Sequence, residues 1–411
     1  MEEQTFIPNF AKRKTVRNKT EMEKDINIEQ YVDDAVTLLK HLIATPRVSR
    51  DETAAADIME QTIRDYGYSP CRKGNNIWIM SEDWDDSLPT IMLNAHIDTV
   101  KPVSTWTRDP FTPTIEGDRL YGLGSNDCGG GLVSLLQVFR IMTQKPLPRR
   151  DFNLIYLASC EEEVSGAGGI RSVLQHQPLP TLPVGEGKKL PSSNDNSEKV
   201  CSVIPSTSGR AGKDLIAIVG EPTGMQPAIA ERGLMVIDGT AHGKSGHAAR
   251  NEGVNAIYEA LDDLVFIRDY KFEKVSDLLG PTKMQCTVVN SGTQHNVVPD
   301  ECKFIIDVRT NEHYTNEEVF EFLQGKLKSD IKARSFHLHS SSIPADHPLI
   351  RRCVEMGMKP FGSPTLSDQA LMRFPSFKLG PGESSRSHSA DEFICISEIR
   401  DAIEKYLKLL A

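Results

Sequence analysis

Short apolar runs, most of which break off at a histidine or an acid, restrict the fold of this chain more than any other feature. They lie at residues 76–80, 90–95, 153–159, 215–219 and 376–379, and helical patterns such as 131–143 and 169–176 separate some of them. Runs this short read as strands buried on both faces. Strands alternating with helices predict an α/β fold, with a mostly parallel central sheet flanked by helices. Two helices broken near 44–49 precede the first run, and an amphipathic helix over 397–410 closes the chain.

Between about 225 and 336 the pattern changes to strand-like runs at 234–240, 284–289 and 302–309, with helical stretches at 254–268 and 316–327. That order predicts an inserted α+β domain. A chain of 411 residues is too long for one ordinary core. The expected division is a tail at 1–24, a larger domain at 25–224 and 338–411, and the insertion at 225–337. Within the larger domain, residues 177–213 are rich in Pro, Ser, Gly and Asn and read as a disordered insert.

Composition excludes several classes. A formal net charge of −10 argues against a nucleic-acid partner. No apolar run approaches the roughly 18 residues of a membrane span. The tail has neither the apolar stretch of a secretory signal nor the acid-poor make-up of an import sequence. Eight cysteines are scattered without a CxxC pair, so reduced thiols in a cytoplasmic protein are expected.

The chemistry collects where the strands end. His96 and Asp98 follow the run at 90–95, and Glu161, Glu162 and Glu163 follow the run at 153–159. Glu221 follows the run at 215–219, and Gly380-Pro-Gly382 leads from 376–379 toward His388. Asp127 stands in a loop with glycines on both sides, which has neither nucleotide-loop spacing. Each motif alone reads equally as a turn. Together they sit where open parallel sheets bind ligands, beyond the carboxyl ends of the strands. Two imidazoles and several carboxylates suit a pair of divalent ions, zinc above all. His96 is then a ligand, with Asp98 accepting its other ring proton.

In this combination and order the motifs resemble the zinc aminoacylase and carboxypeptidase family that includes acetylornithine deacetylase and succinyl-diaminopimelate desuccinylase. The likeness runs from about residue 28 to 410, omitting residues 177–213, and adds the Gly246-His247-Ala-Ala element. It implies a zinc-peptidase-like catalytic domain carrying an inserted dimerisation or lid domain. One zinc would be held by His96, Asp127 and Glu221 and the other by Asp127, Glu163 and His388, and cobalt could substitute. Glu162 would be the general base, a role that a one-residue slip would give to Glu161. His247 would donate to the oxyanion, and Asn296, Arg309 and Gly382 would bind substrate.

The resemblance further implies a homodimer that hydrolyses a small N-acyl amino acid, with N-acetylornithine foremost, in arginine biosynthesis. Alternatives are N-succinylornithine, succinyl-diaminopimelate or a dipeptide, and Ser367 and Asp368 offer groups for a distal amine. A non-catalytic binding protein would lack a ligand or the base. None is missing. Cys128-Gly-Gly after Asp127 departs from the Lys or Met that relatives often carry there.

Overall fold

A computed structural model describes residues 27–144, 150–174, 215–250 and 252–411. The tail at 1–24 and the whole insert at 177–213 lie outside the described residues. The chain divides into two compact units, one made of Met1–Met225 with Leu379–Ala411 and the other of Gln226–Lys378.

In the first unit, helices α1 (Ile28–Ile43) and α2 (Thr53–Asp65) precede strands β1 (Cys71–Lys73), β2 (Asn76–Met80) and β3 (Thr90–His96). Helix α3 (Gly130–Thr143), β4 (Asn153–Ser159) and β5 (Leu215–Val219) follow. Spatially the strands run β1-β2-β4-β3-β5, with β4, β3 and β5 parallel and the first two antiparallel. Every residue of β3, β4 and β5 is buried, which is why they are apolar without alternation. Helix α3 packs with α1 and with the closing helix Ile396–Leu410, whose Ile399, Ala402, Ile403 and Tyr406 are buried at helical spacing. This is the α/β architecture expected, a largely parallel sheet with helices.

The second unit begins with β6 (Ala228–Glu231) and β7 (Met235–His242). It continues through α4 (Ala256–Asp269), β8 (Lys283–Ser291), β9 (Glu301–Arg309), α5 (Asn316–Gln324), β10 (Asp330–Ala333) and β11 (Ser376–Lys378). Strands β8-β9-β7-β10 form an antiparallel sheet. Alternate residues of β7 and β9, including Ile237, Phe304 and Ile306, join Ala260, Ile267, Val319 and Leu323 of the helices in one core. Helix α5 opens on a capping box between Thr315 and Glu318 and ends at Gln324, short of the 327 expected. The second unit runs to Lys378, and the buried residues of its α+β core lie within Met235–Leu327.

Six cysteines are free, Cys71 is disulfide-bonded, and Cys201 lies outside the described residues. Reduced thiols throughout were expected, so Cys71 corrects that reading. Scattered spacing in sequence says nothing about which side chains a fold brings within bonding reach.

Candidate metal centre

The parallel register delivers the candidate ligands to one sheet edge. His96 ends β3 opposite Ser159 at the end of β4, and Asn94 lies opposite Val219 at the end of β5. The acidic triplet and Glu221 therefore leave the sheet beside His96-Ile97-Asp98. Asp127 arrives from the loop before α3. That loop is glycine-rich because backbone passes backbone there: a Cβ on Gly129 would lie 2.2 Å from the Gly124 carbonyl oxygen.

Asp127 stands between two imidazoles. Its Oδ1 is 3.3 Å from His96 Nε2, and its Oδ2 is 3.5 Å from His388 Nε2. Around His96 Nε2 lie Glu221 Oε1 at 3.8 Å and Glu162 Oε2 at 4.0 Å, while Glu163 Oε2 is 2.9 Å from His388 Nε2. Ligand atoms of Asp127, Glu163 and His388 lie within 4.8 Å of one another, as do those of His96, Glu162 and Glu163, and those of His96, Cys128 and Glu221. Glu161 is turned elsewhere, its carboxylate accepting from the Gly168 amide at 3.2 Å. Of the triplet, Glu162 and Glu163 face the imidazoles.

Asp98 departs from expectation. His96 Nδ1 meets the Asp98 backbone oxygen at 2.9 Å, while the carboxylate oxygen Oδ1 is 3.6 Å away, beyond a good hydrogen bond. The carbonyl is thus the ring's direct partner. The Asp98 carboxylate accepts instead from Ser49 Oγ at 2.6 Å and from the amides of Glu162 and Glu163 at 3.1 and 3.2 Å. It braces the turn that carries the acidic triplet. Glu52, also buried, accepts from the Glu161 amide at 3.0 Å.

Sequence reading missed a second brace. Glu392 is buried and accepts from the amides of Gly124, Asn126 and Asp127 at 2.9, 2.8 and 2.8 Å, fixing the Asp127 loop. Its only signal was an acid four residues past His388.

These groups tune one another. Burial works to lower His96, but Cys128 and the carboxylates of Asp127, Asp98 and Glu162 outweigh it and hold the imidazole well above its ordinary value. Burial pushes the Cys128 thiol itself far up, so it is neutral and the carboxylates are the effective partners. The hydrogen bond to Glu163 raises His388 to about 9. Burial favours the protonated form of Asp127 and Asp98, yet His96 holds both below the usual carboxylate range. Burial lifts Glu392 to about 7 against its three amide donors.

His247 and Asn296 lie in the second unit and are exposed. They are neighbours there: His247 pairs with Val297 across a two-residue ladder, and Ala248 donates to the Asn296 carbonyl at 3.1 Å. His247 Nδ1 accepts from the Ala249 amide at 3.2 Å, which leaves the proton on Nε2. Arg309 spends its fork on Asp307 of the same strand, at 2.8 and 3.0 Å. Ser367 donates to Glu231 at 2.8 Å, and Asp368 is buried. In the first unit, Gly382 has a φ of 80°, open to glycine, and a Cβ there would lie 2.2 Å from Asn126 Oδ1. The neighbouring Gly380 amide donates to Thr223 Oγ1 at 3.1 Å.

Residues 92–411 match the model of Peptidase family M20/M25/M40. An acetylornithine deacetylase from Proteus mirabilis is 25% identical over 403 residues, covering 90% of this chain and 94% of its own. A succinyl-diaminopimelate desuccinylase from Blochmanniella floridana is 25% identical over 330 residues, covering 76% and 77%. The crystal structure of a dinuclear metal-binding M20 peptidase from Bacillus subtilis superposes with a TM-score of 0.63 at 15% identity, covering 93% of this chain and 98% of that one.

Proposed function

Because this chain belongs to Peptidase family M20/M25/M40, we propose that it is a metal-dependent amide hydrolase that deacylates a small N-acyl amino acid, N-acetylornithine above all, to acetate and ornithine in arginine biosynthesis. The observation that carries the reading is Asp127, with one carboxylate oxygen toward each of two imidazoles and Glu162 alongside. His96, Asp127 and Glu221 would hold one zinc ion, and Asp127, Glu163 and His388 the other. Mixed nitrogen and oxygen donors fit zinc, with cobalt able to replace it. When bound, such ions polarise the acyl carbonyl and make water acidic enough to attack at neutral pH.

The protein's own residues then move the proton. Glu162 takes it from the attacking water and gives it to the departing nitrogen. Asp98 holds the Glu162 and Glu163 amides, which keeps base and ligand in register. His247, with its proton on Nε2, is the proposed oxyanion donor. A homodimer belongs to the same reading. It is supported by the apolar residues Tyr258, Leu261 and Val265 exposed on α4 and Val288 and Val289 exposed on the edge strand β8. A cytoplasmic location is supported by six free cysteines and opposed by the disulfide at Cys71. No helix of the described residues is long and apolar enough to cross a membrane.

Relatives named as deacetylase and desuccinylase set the test. N-acetylornithine, N-succinylornithine, succinyl-diaminopimelate and dipeptides would be offered with zinc or cobalt. The highest kcat/KM is expected for N-acetylornithine. Faster turnover of a succinyl compound or a dipeptide would replace that substrate, and no turnover with no bound metal would remove the catalytic reading.

A further inference from the structure

Arg47 lies in the break between α1 and α2, where a charged residue reads as solvated surface, yet it is 2% exposed. Its Nε donates to the Ile97 carbonyl at 2.7 Å and its Nη2 to the Gly124 carbonyl at 2.9 Å. Ile97 separates His96 from Asp98, and Gly124 stands three residues before Asp127. One guanidinium therefore joins the strand end bearing His96 to the loop bearing Asp127. We infer that Arg47 is a positioning residue of the metal centre, a buried cation that fixes these two ligand-bearing segments in register; the inference rests on the metal-hydrolase reading above.

Three further observations support it. Gly124 has a φ of 72°, and a Cβ there would fall 2.4 Å from Arg47 Nη2, so the loop is shaped around the guanidinium. The Arg47 backbone is tied to the same strand end, its carbonyl accepting from the Thr99 amide at 2.9 Å. Burying a cation without a hydrogen-bonded carboxylate is costly unless nearby charges compensate. Burial lowers Arg47 to about 10, still charged at neutral pH, and the compensating charges are Glu392 and Asp98. Those are the carboxylates that brace the Asp127 loop and the acidic triplet. The cation thus sits among the braces and bonds the backbone they support.

Arginine suits this place because its planar fork reaches two carbonyls at fixed spacing, whereas lysine offers a single point of charge. Changing outer partners of metal ligands typically weakens metal affinity or activity by about 10–100-fold. Arg47→Met and Arg47→Lys would be compared with the wild type by cobalt titration, cobalt absorption spectrum, kcat, KM and thermal melting. For Arg47→Met we expect cobalt affinity and kcat each lower by about 10–100-fold, KM within about twofold, and an altered cobalt spectrum. Arg47→Lys, which keeps the charge, should fall between, and it decides the matter if Arg47→Met does not fold. Wild-type spectrum, affinity and kcat in the folded variants, with only the melting temperature lowered, would overturn the inference. A wild type that neither binds cobalt nor hydrolyses any N-acyl amino acid would instead bring down the metal-hydrolase reading, and the role of Arg47 with it.

Discussion

Two buried charge clusters in this molecule are built to opposite plans. In the second unit Lys378 Nζ meets Glu231 Oε2 at 3.0 Å and donates to the Thr365 carbonyl and hydroxyl at 3.0 and 3.1 Å. Ser367 donates to the same carboxylate oxygen, so one acid and one base close on each other within a shell of hydroxyls. In the first unit the carboxylates of Asp98, Asp127, Glu162, Glu163, Glu221 and Glu392 gather round two imidazoles and Arg47. Acids outnumber the cations the fold supplies. The difference teaches how to tell a structural pair from a site: the first is electrically complete, and the second calls for cations from outside.

The largest effect should come from removing the residue on which the open cluster turns. Asp127→Ala should leave a folded protein that holds neither ion and has no measurable turnover, checked by metal analysis and the hydrolysis panel. One retained ion per chain would show that Asp127 is not shared. Next, Glu162→Gln should keep the metal and lose about 10²–10⁴-fold in kcat, because the amide cannot take the proton. Glu161→Gln should be close to wild type, since Glu161 faces Gly168. The reverse pattern would shift the acidic triplet by one residue.

The closed cluster should respond in stability and not in metal content. Lys378→Met leaves Glu231 buried without its cation, and breaking such a pair typically costs about 3–5 kcal/mol. Replacing both members, as Lys378→Met with Glu231→Leu, should recover most of that loss. Denaturant melts would read the stability, with metal content measured alongside. A single variant of unchanged stability, or one that loses its metal, would erase the distinction between the clusters.

How much of this was legible in the sequence follows from what each residue bonds to. The runs behind β3, β4 and β5 were plain because a strand buried on both faces must be apolar throughout. His96, the acidic triplet and Glu221 followed because a parallel register brings strand ends together, and Asp127 because glycines flank it on both sides. Glu392 and Arg47 stayed hidden because their partners are backbone groups, and sequence does not say which amide or carbonyl a charge will meet. Asp98 was noticed for a plausible reason, but its own carbonyl reaches the His96 ring first and frees the carboxylate to hold the turn.

The most gradual change expected, about tenfold for each pH unit, is in metal uptake, and it probes the open cluster most directly. His388, hydrogen-bonded to Glu163, is raised to about 9, and His96 is also held well above its ordinary value. In the metal-free protein these imidazoles are therefore held in their charged form at neutral pH. A metal ion needs the neutral ring, so uptake must release those protons. Below pH 9 the apparent affinity should therefore fall about tenfold per pH unit for His388 alone, and more steeply with His96. Stability of the metal-free protein should run the other way. A histidine raised in the folded state stabilises fully below its unfolded value near 6.5, and that contribution fades as pH rises through 9. Chelator competition with cobalt between pH 6 and 9, paired with melts of metal-free protein, measures both trends. An affinity that is flat over this range would mean that the imidazoles are already neutral and that uptake releases no protons from them.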